Sequence, residues 1–153
     1  MASRRIQFEL NSLRREPQTS FTIREVSEDL LHLEVTFIGP LRTPFDGGVF
    51  RISIDIPSDY PFEPPEIHFI TRVFHPNINR SGIIFPNIIR RDWTPTHTIS
   101  RIIPSIRSFL VEPILHNPSV PEIAQIYEND RVLYEVLARS WTLYYAKEDR
   151  APD

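Results

Sequence analysis

Two stretches of the chain alternate strictly between apolar and polar residues, and this period of two restricts the fold more than any other feature. Leu31, Leu33, Val35 and Phe37 point one way while His32, Glu34 and Thr36 point the other. Phe50, Ile52, Ile54 and Ile56 then alternate with Arg51, Ser53 and Asp55. Successive side chains of a strand project to opposite faces, so each stretch reads as a strand buried on one side only, the habit of antiparallel sheets. Gly39-Pro40 and Asp46-Gly47-Gly48 supply turn chemistry around them. With Phe21-Thr22-Ile23 before and Ile67-His68-Phe69 after, the pattern predicts about four antiparallel strands in a meander.

Helical spacing flanks this sheet. Ile6, Leu10 and Leu13 predict a short amphipathic N-terminal helix capped by Ser3, with Arg4 and Arg5 in its first turn. Cations there oppose the helix dipole, which suits either solvated surface or a basic docking spot. Ile99, Ile102, Ile103, Ile106, Phe109 and Leu110 predict a second helix, whose start Pro104 is expected to kink or shift. Pro121-Glu122 opens a third. Val132, Val136, Trp141 and Tyr145, with Leu133, Leu137 and Tyr144, predict a last helix capped near Asn129 or Asp130. Between Arg72 and about His97 neither period holds, yet the stretch is rich in Phe, Ile, Trp and Pro. A long irregular segment of that composition reads as an ordered, packed loop, where a functional site is expected. The order of helix, meander, loop and helices is α+β. The expected domain organisation is one core over residues 1–147, followed by a charged C-terminal tail at 148–153.

Composition enters by what it excludes. The 153 residues suit one domain with a real core. Fifteen prolines against four glycines predict loops stiffened by fixed φ angles. There is no cysteine, which removes disulfides, thiolate zinc sites and any thioester-forming nucleophile. A net charge of -3 gives no electrostatic argument for nucleic acid or an anionic membrane. No apolar run approaches a bilayer span and no secretory signal is visible, so a cytoplasmic or nuclear protein is expected.

Candidate chemistry is sparse. None of His32, His68, His75, His97 and His116 pairs with another at helical ligand spacing, so no metal or other cofactor is expected. There is no Walker loop or dinucleotide-type glycine pattern. Ser81 lies in the irregular loop, with no His-and-carboxylate partner adjacent in sequence; triads are spatial, so this leaves a serine nucleophile open. The residues alone give an α+β domain with one loop that stands out.

Pro57-Ser58-Asp59-Tyr60-Pro61-Phe62-Glu63-Pro64-Pro65, followed by His75-Pro76-Asn77-Ile78-Asn79, closely resembles the ubiquitin-conjugating enzymes. So does Trp93-Thr94-Pro95 with Thr98-Ile99-Ser100 after it. The resemblance runs from Arg5-Ile6 to Trp141-Thr142, nearly the whole chain, and its motifs occur in order. It implies the conjugating-enzyme fold. In that family a cysteine eight residues after the asparagine of the His-Pro-Asn motif carries ubiquitin as a thioester. Counting from Asn77 reaches Phe85, within Gly82-Ile83-Ile84-Phe85-Pro86-Asn87, where the family context is Gly-x-Ile-Cys-Leu-Asp. A phenyl ring can neither ionise nor attack a carbonyl. Pro86 and Asn87 depart from the pattern too. Asn117 stands where many members hold the acidic residue that places and deprotonates the incoming lysine, and an amide cannot accept that proton at neutral pH. Asn77 remains, as oxyanion donor or loop brace, and with no acyl group to attack the brace is the expected role.

The resemblance further implies that ligases of the RING and U-box type grip Phe62, Pro95 and Thr96 with help from Arg5. It implies that the activating enzyme docks at Arg4 and Arg5, and that Thr22 lies on the sheet face that binds a second ubiquitin in some members. The implied function is a non-catalytic variant that binds a ligase, an active conjugating enzyme or ubiquitin and so modulates conjugation. Acyl transfer from another nucleophile such as Ser81, or a degenerate copy without partners, are the alternatives. Known non-catalytic variants often lack the C-terminal helices and the His-Pro-Asn motif, and this chain has both.

Overall fold

The computed structural model describes residues 2–15 and 21–147. The expected charged tail at 148–153 lies outside the described residues. Helix α1 spans Ala2–Arg15, followed by strands β1 Phe21–Glu25, β2 His32–Ile38, β3 Val49–Asp55 and β4 Glu66–Phe69. A short α2, Ile88–Arg91, precedes α3 Ile99–Val111, α4 Pro121–Asn129 and α5 Arg131–Tyr145. The architecture is the α+β order the sequence predicts.

The four strands form an antiparallel sheet in the order β1-β2-β3-β4. Its register pairs Val35 with Ile23 on one side and with Ile52 on the other, which sets the apolar residues of each strand on one face. Leu33, Val35, Phe37, Phe50, Ile52 and Ile54 are fully buried there. Ile99, Ile103 and Ile106 of α3 and Ile6 of α1 belong to the same core cluster. Burying a side chain of this size contributes about 1.5–3 kcal/mol, so this shared layer fixes where both helices sit.

Two glycines mark close approaches. At Gly48 a Cβ would stand 2.6 Å from Cγ2 of Thr142, so α5 lies against the start of β3. Gly82, at φ +84°, has the carbonyl of Phe69 where a Cβ would project, at 2.0 Å. The irregular loop is thereby pressed onto β4, and an L side chain would meet both strain and a clash.

The structure corrects several expectations. Ser3 is not the cap of α1 but lies inside it, its hydroxyl donating to the carbonyl of Asp29 at 2.6 Å. Pro104 does not shift the start of α3; the helix runs from Ile99 through it to Val111. The irregular stretch contains α2, four residues too short to carry a period, with Asn87 as its cap. The α5 cap is Asp130, whose carboxylate accepts from the Leu133 amide at 3.1 Å. The inward face of α5 differs most. Tyr134, Ala138 and Thr142 are buried, whereas Val132, Leu133, Val136 and Tyr144 are exposed. Leu137 and Trp141 of the expected stripe do pack against the core, and Thr142 is the side chain that meets Gly48.

Candidate functional site

The loop after β4 is organised by two buried polar residues, His75 and Asn77, both with no solvent exposure. The Nε2 of His75 lies 3.0 Å from the Phe109 carbonyl on α3, and its Nδ1 accepts from the Asn77 amide at 3.1 Å. That pairing suits the neutral ring with its proton on Nε2. Burial lowers the His75 pKa to about 4.

The sign of the resulting pH dependence follows directly. The unfolded chain binds a proton at this histidine near pH 6.5 and the folded chain does not, so stability falls as pH drops from about 6.5 towards 4. Thermal melts at pH 7 and pH 5 should differ by roughly 2 kcal/mol of stability from this group. His75→Gln should shrink the difference; an unchanged difference would place the acid sensitivity elsewhere.

The Asn77 side chain is fully committed. Its amide nitrogen donates to the carbonyl of Phe85 at 3.1 Å and to that of Ile114 at 2.8 Å. Its oxygen accepts from the Ile114 amide at 2.9 Å. Both N–H bonds of the side chain are spent on backbone carbonyls, so neither is free for an oxyanion, and the geometry is that of a brace. The brace ties the loop at Phe85 to the segment leaving α3.

Phe85 itself is 46% exposed, and its backbone N–H donates to the Asn77 carbonyl at 2.9 Å. Asn87 is exposed and caps α2, accepting from the Arg90 amide at 3.0 Å. Asn117 is exposed in the left-handed region at φ 54°, where asparagine is tolerated better than most residues. Ser81 is exposed; its backbone N–H donates to Asn79 Oδ1 at 3.0 Å. Among the described residues its hydroxyl has no hydrogen bond to a histidine or carboxylate. No cluster of metal-ligating residues occurs among the described residues either.

A second set of predicted residues gathers on the loops before β4 and after α2. Phe62 is 70% exposed, and Pro95 and Thr96 are exposed beside it on the neighbouring loop. The two loops are stitched together, since the Trp93 indole N–H donates to the Pro61 carbonyl at 2.8 Å. Arg5 reaches over from α1 and donates to the carbonyls of Pro95 at 3.1 Å and His97 at 3.0 Å. Arg4 is exposed on α1, and Thr22 is exposed on β1, remote in the sheet from these loops.

Beneath this surface lies Glu9, a residue whose role the sequence reading missed. It is 5% exposed, yet its carboxylate holds three groups. Arg5 Nε donates at 2.8 Å, the Tyr60 hydroxyl at 2.6 Å and the Ile99 amide at 2.7 Å. Burial and then the bond to Glu9 push the Tyr60 hydroxyl far above its usual pKa, so it stays a donor. One carboxylate therefore positions helix α1, the loop of Phe62 and the start of α3. The one available sequence signal was an acid on the apolar side of α1, one residue before Leu10.

The family model for ubiquitin-conjugating enzymes matches residues 5–142. The chain belongs to the ubiquitin-conjugating enzyme family. A solved structure described as "a putative ubiquitin conjugating enzyme from Plasmodium yoelii" superimposes with a TM-score of 0.89 at 31% identity. The match covers 99% of this chain and 97% of that one. The conjugating-enzyme fold is thus present throughout, with helix α1, the four-stranded sheet and the C-terminal helices all in place. The chain has no cysteine on which a thioester could form. No helix among the described residues is long and apolar enough to cross a membrane.

Proposed function

We propose that this chain is a non-catalytic ubiquitin-conjugating-enzyme variant, acting in the cytoplasm or nucleus, that binds RING or U-box ligases and modulates ubiquitination. The observation that carries the reading is a contrast between two sites. At one, the position of the family nucleophile is Phe85 in a chain without cysteine. At the other, Phe62, Pro95 and Thr96 stand exposed on loops that Arg5, Glu9 and Trp93 hold in register. An ordered apolar patch costs little conformational entropy to bind, which supports docking by a ligase.

Arg5 contributes by fixing the loop of Pro95, while the exposed Arg4 is the residue of the pair available to an activating enzyme. An active conjugating enzyme or ubiquitin is a further partner, with Thr22 on the sheet face as a contact for the latter. Nothing at Ser81 favours acyl transfer by serine.

The test is titration of a RING or U-box domain against wild type and Phe62→Ala. Truncating an exposed aromatic anchor should weaken binding about tenfold or more. Stability should change by no more than about 0.5 kcal/mol, since the ring is outside the core. An excess of wild type should also slow conjugation by an active family member. The reading fails if wild type binds no ligase, or if Phe62→Ala unfolds the domain.

A further inference from the structure

A surface helix carries its apolar residues on the side that packs and its polar residues outside. Helix α5 packs inward through Tyr134, Ala138 and Thr142, yet its outer side is apolar as well. Val132 is 74% exposed, Val136 55% and Leu143 61%, with Leu133 and Tyr144 exposed beside them. At 3.6 residues per turn these five fall within one arc of about 120°, which also holds the exposed Ser140. Exposed apolar residues scattered singly need no explanation, but five on one helix face form a patch suited to being covered.

The order of the patch is close to symmetric. Helix α5 runs from Arg131 to Tyr145, so Ala138 is its midpoint. Val132 and Tyr144 lie equally far from that midpoint, as do Leu133 and Leu143, and Val136 and Ser140. An antiparallel copy of the helix, related by a two-fold axis level with residue 138, would set the members of each pair opposite one another. The small side chain of Ser140 leaves room for Val136 at the centre.

The charges fit the same symmetry. Glu135 and Arg139 lie about one turn apart along one border of the arc, both exposed. Arg139 donates to the carbonyls of Pro44 and Asp46, which fix its position without neutralising it. Glu135 makes no ion pair among the described residues. In an antiparallel pair like borders meet, so Glu135 of each helix comes close to Arg139 of the other. A parallel pair would instead bring that charged border against the apolar border of Leu133 and Tyr144.

We infer that the outer face of α5 is a dimerisation surface, on which a second copy of this chain lays its own α5 antiparallel. The contact is isologous, since each copy offers the same face. It shares no residue with the loops of Phe62 and Pro95, and it stands whether or not those loops bind a ligase. A helix of 15 residues is about 22 Å long, so the interface is small and the dimer is expected to form at micromolar rather than nanomolar concentration.

The test is sedimentation velocity of the full chain from about 1 μM to 1 mM, where a reversible shift from monomer to dimer is expected. Val136→Glu puts a charge at the centre of the apolar face and should leave a monomer throughout. Its melting curve should hardly move, because the side chain lies outside the core. Glu135→Arg sets like charges against Arg139 and should weaken the dimer about fivefold or more. The chain has no cysteine, so single thiols can report the register. When Val136→Cys and Ser140→Cys proteins are mixed and oxidised, the mixed disulfide should make up about nine-tenths of the dimer, against about half for random pairing. A chain that stays monomeric, a dimer that survives Val136→Glu, or a predominance of same-residue disulfides would each overturn the inference.

Discussion

Incubated with activating enzyme, ATP and ubiquitin, the wild-type chain is expected to form no reductant-sensitive adduct, and Phe85→Cys is expected to form one. The first half follows from composition, since no sulfur nucleophile exists. The second follows from geometry. The side chain at 85 is 46% exposed, so a thiolate placed there would be reachable. Discharge to lysine should nevertheless stay about a hundredfold below that of an active family member. Asn117 offers no basic oxygen at neutral pH, and losing a general base typically costs that much or more. The amide hydrogens of Asn77 are committed to Phe85 and Ile114, leaving none to meet an oxyanion without breaking the brace. Non-reducing gels would follow charging, and single-turnover discharge to free lysine would follow transfer. Near-normal discharge by the single variant would mean that the brace opens in the charged state and that Asn117 is not limiting. A hydroxide-labile, reductant-resistant adduct on wild type would instead point to Ser81.

Glu9→Ala should be the most destabilising single change on the side of Phe62 and Pro95. It strips partners from the Tyr60 hydroxyl, the Ile99 amide and Arg5 together. Removing one member of a largely buried charged network costs about 3 kcal/mol, with Arg5 itself partly solvated and so at the lower end. For a domain of this size that corresponds to a fall in Tm of roughly 10 °C. Glu9→Gln should cost less, because an amide oxygen can still accept from Ile99. Urea denaturation of the three proteins would rank them. A loss within 0.5 kcal/mol for Glu9→Ala would show that water replaces the carboxylate and that the hub does not hold the loops.

The sheet was legible because its information is local. Leu33, Val35 and Phe37 state their face within seven residues, and the register in the structure agrees. The helices were legible in existence but less so in orientation. On α5 the apolar residues Val132 and Val136 face solvent while Tyr134, Ala138 and Thr142 go inside, with Thr142 against Gly48. The site was legible through the motif around Asn77, but its bonds were not. Asn77 joins residues 8 and 37 positions away, and Glu9 joins residues 51 and 90 positions away. Such links depend on the whole fold, and no periodicity encodes them. Ser3 shows the same limit in reverse: a residue that suits a cap by type is drawn instead to the Asp29 carbonyl, 26 positions on.

Residue 85 is held through its backbone: its amide bonds to the Asn77 carbonyl, and its carbonyl receives the Asn77 side chain. Any amino acid with an N–H would satisfy the same two bonds. Selection for a folded protein therefore has almost no purchase on the identity of this side chain, and a lineage can lose its nucleophile here in one step while the domain continues to accumulate in the cell. A domain built in this way can stay folded with nothing at this position able to form a thioester.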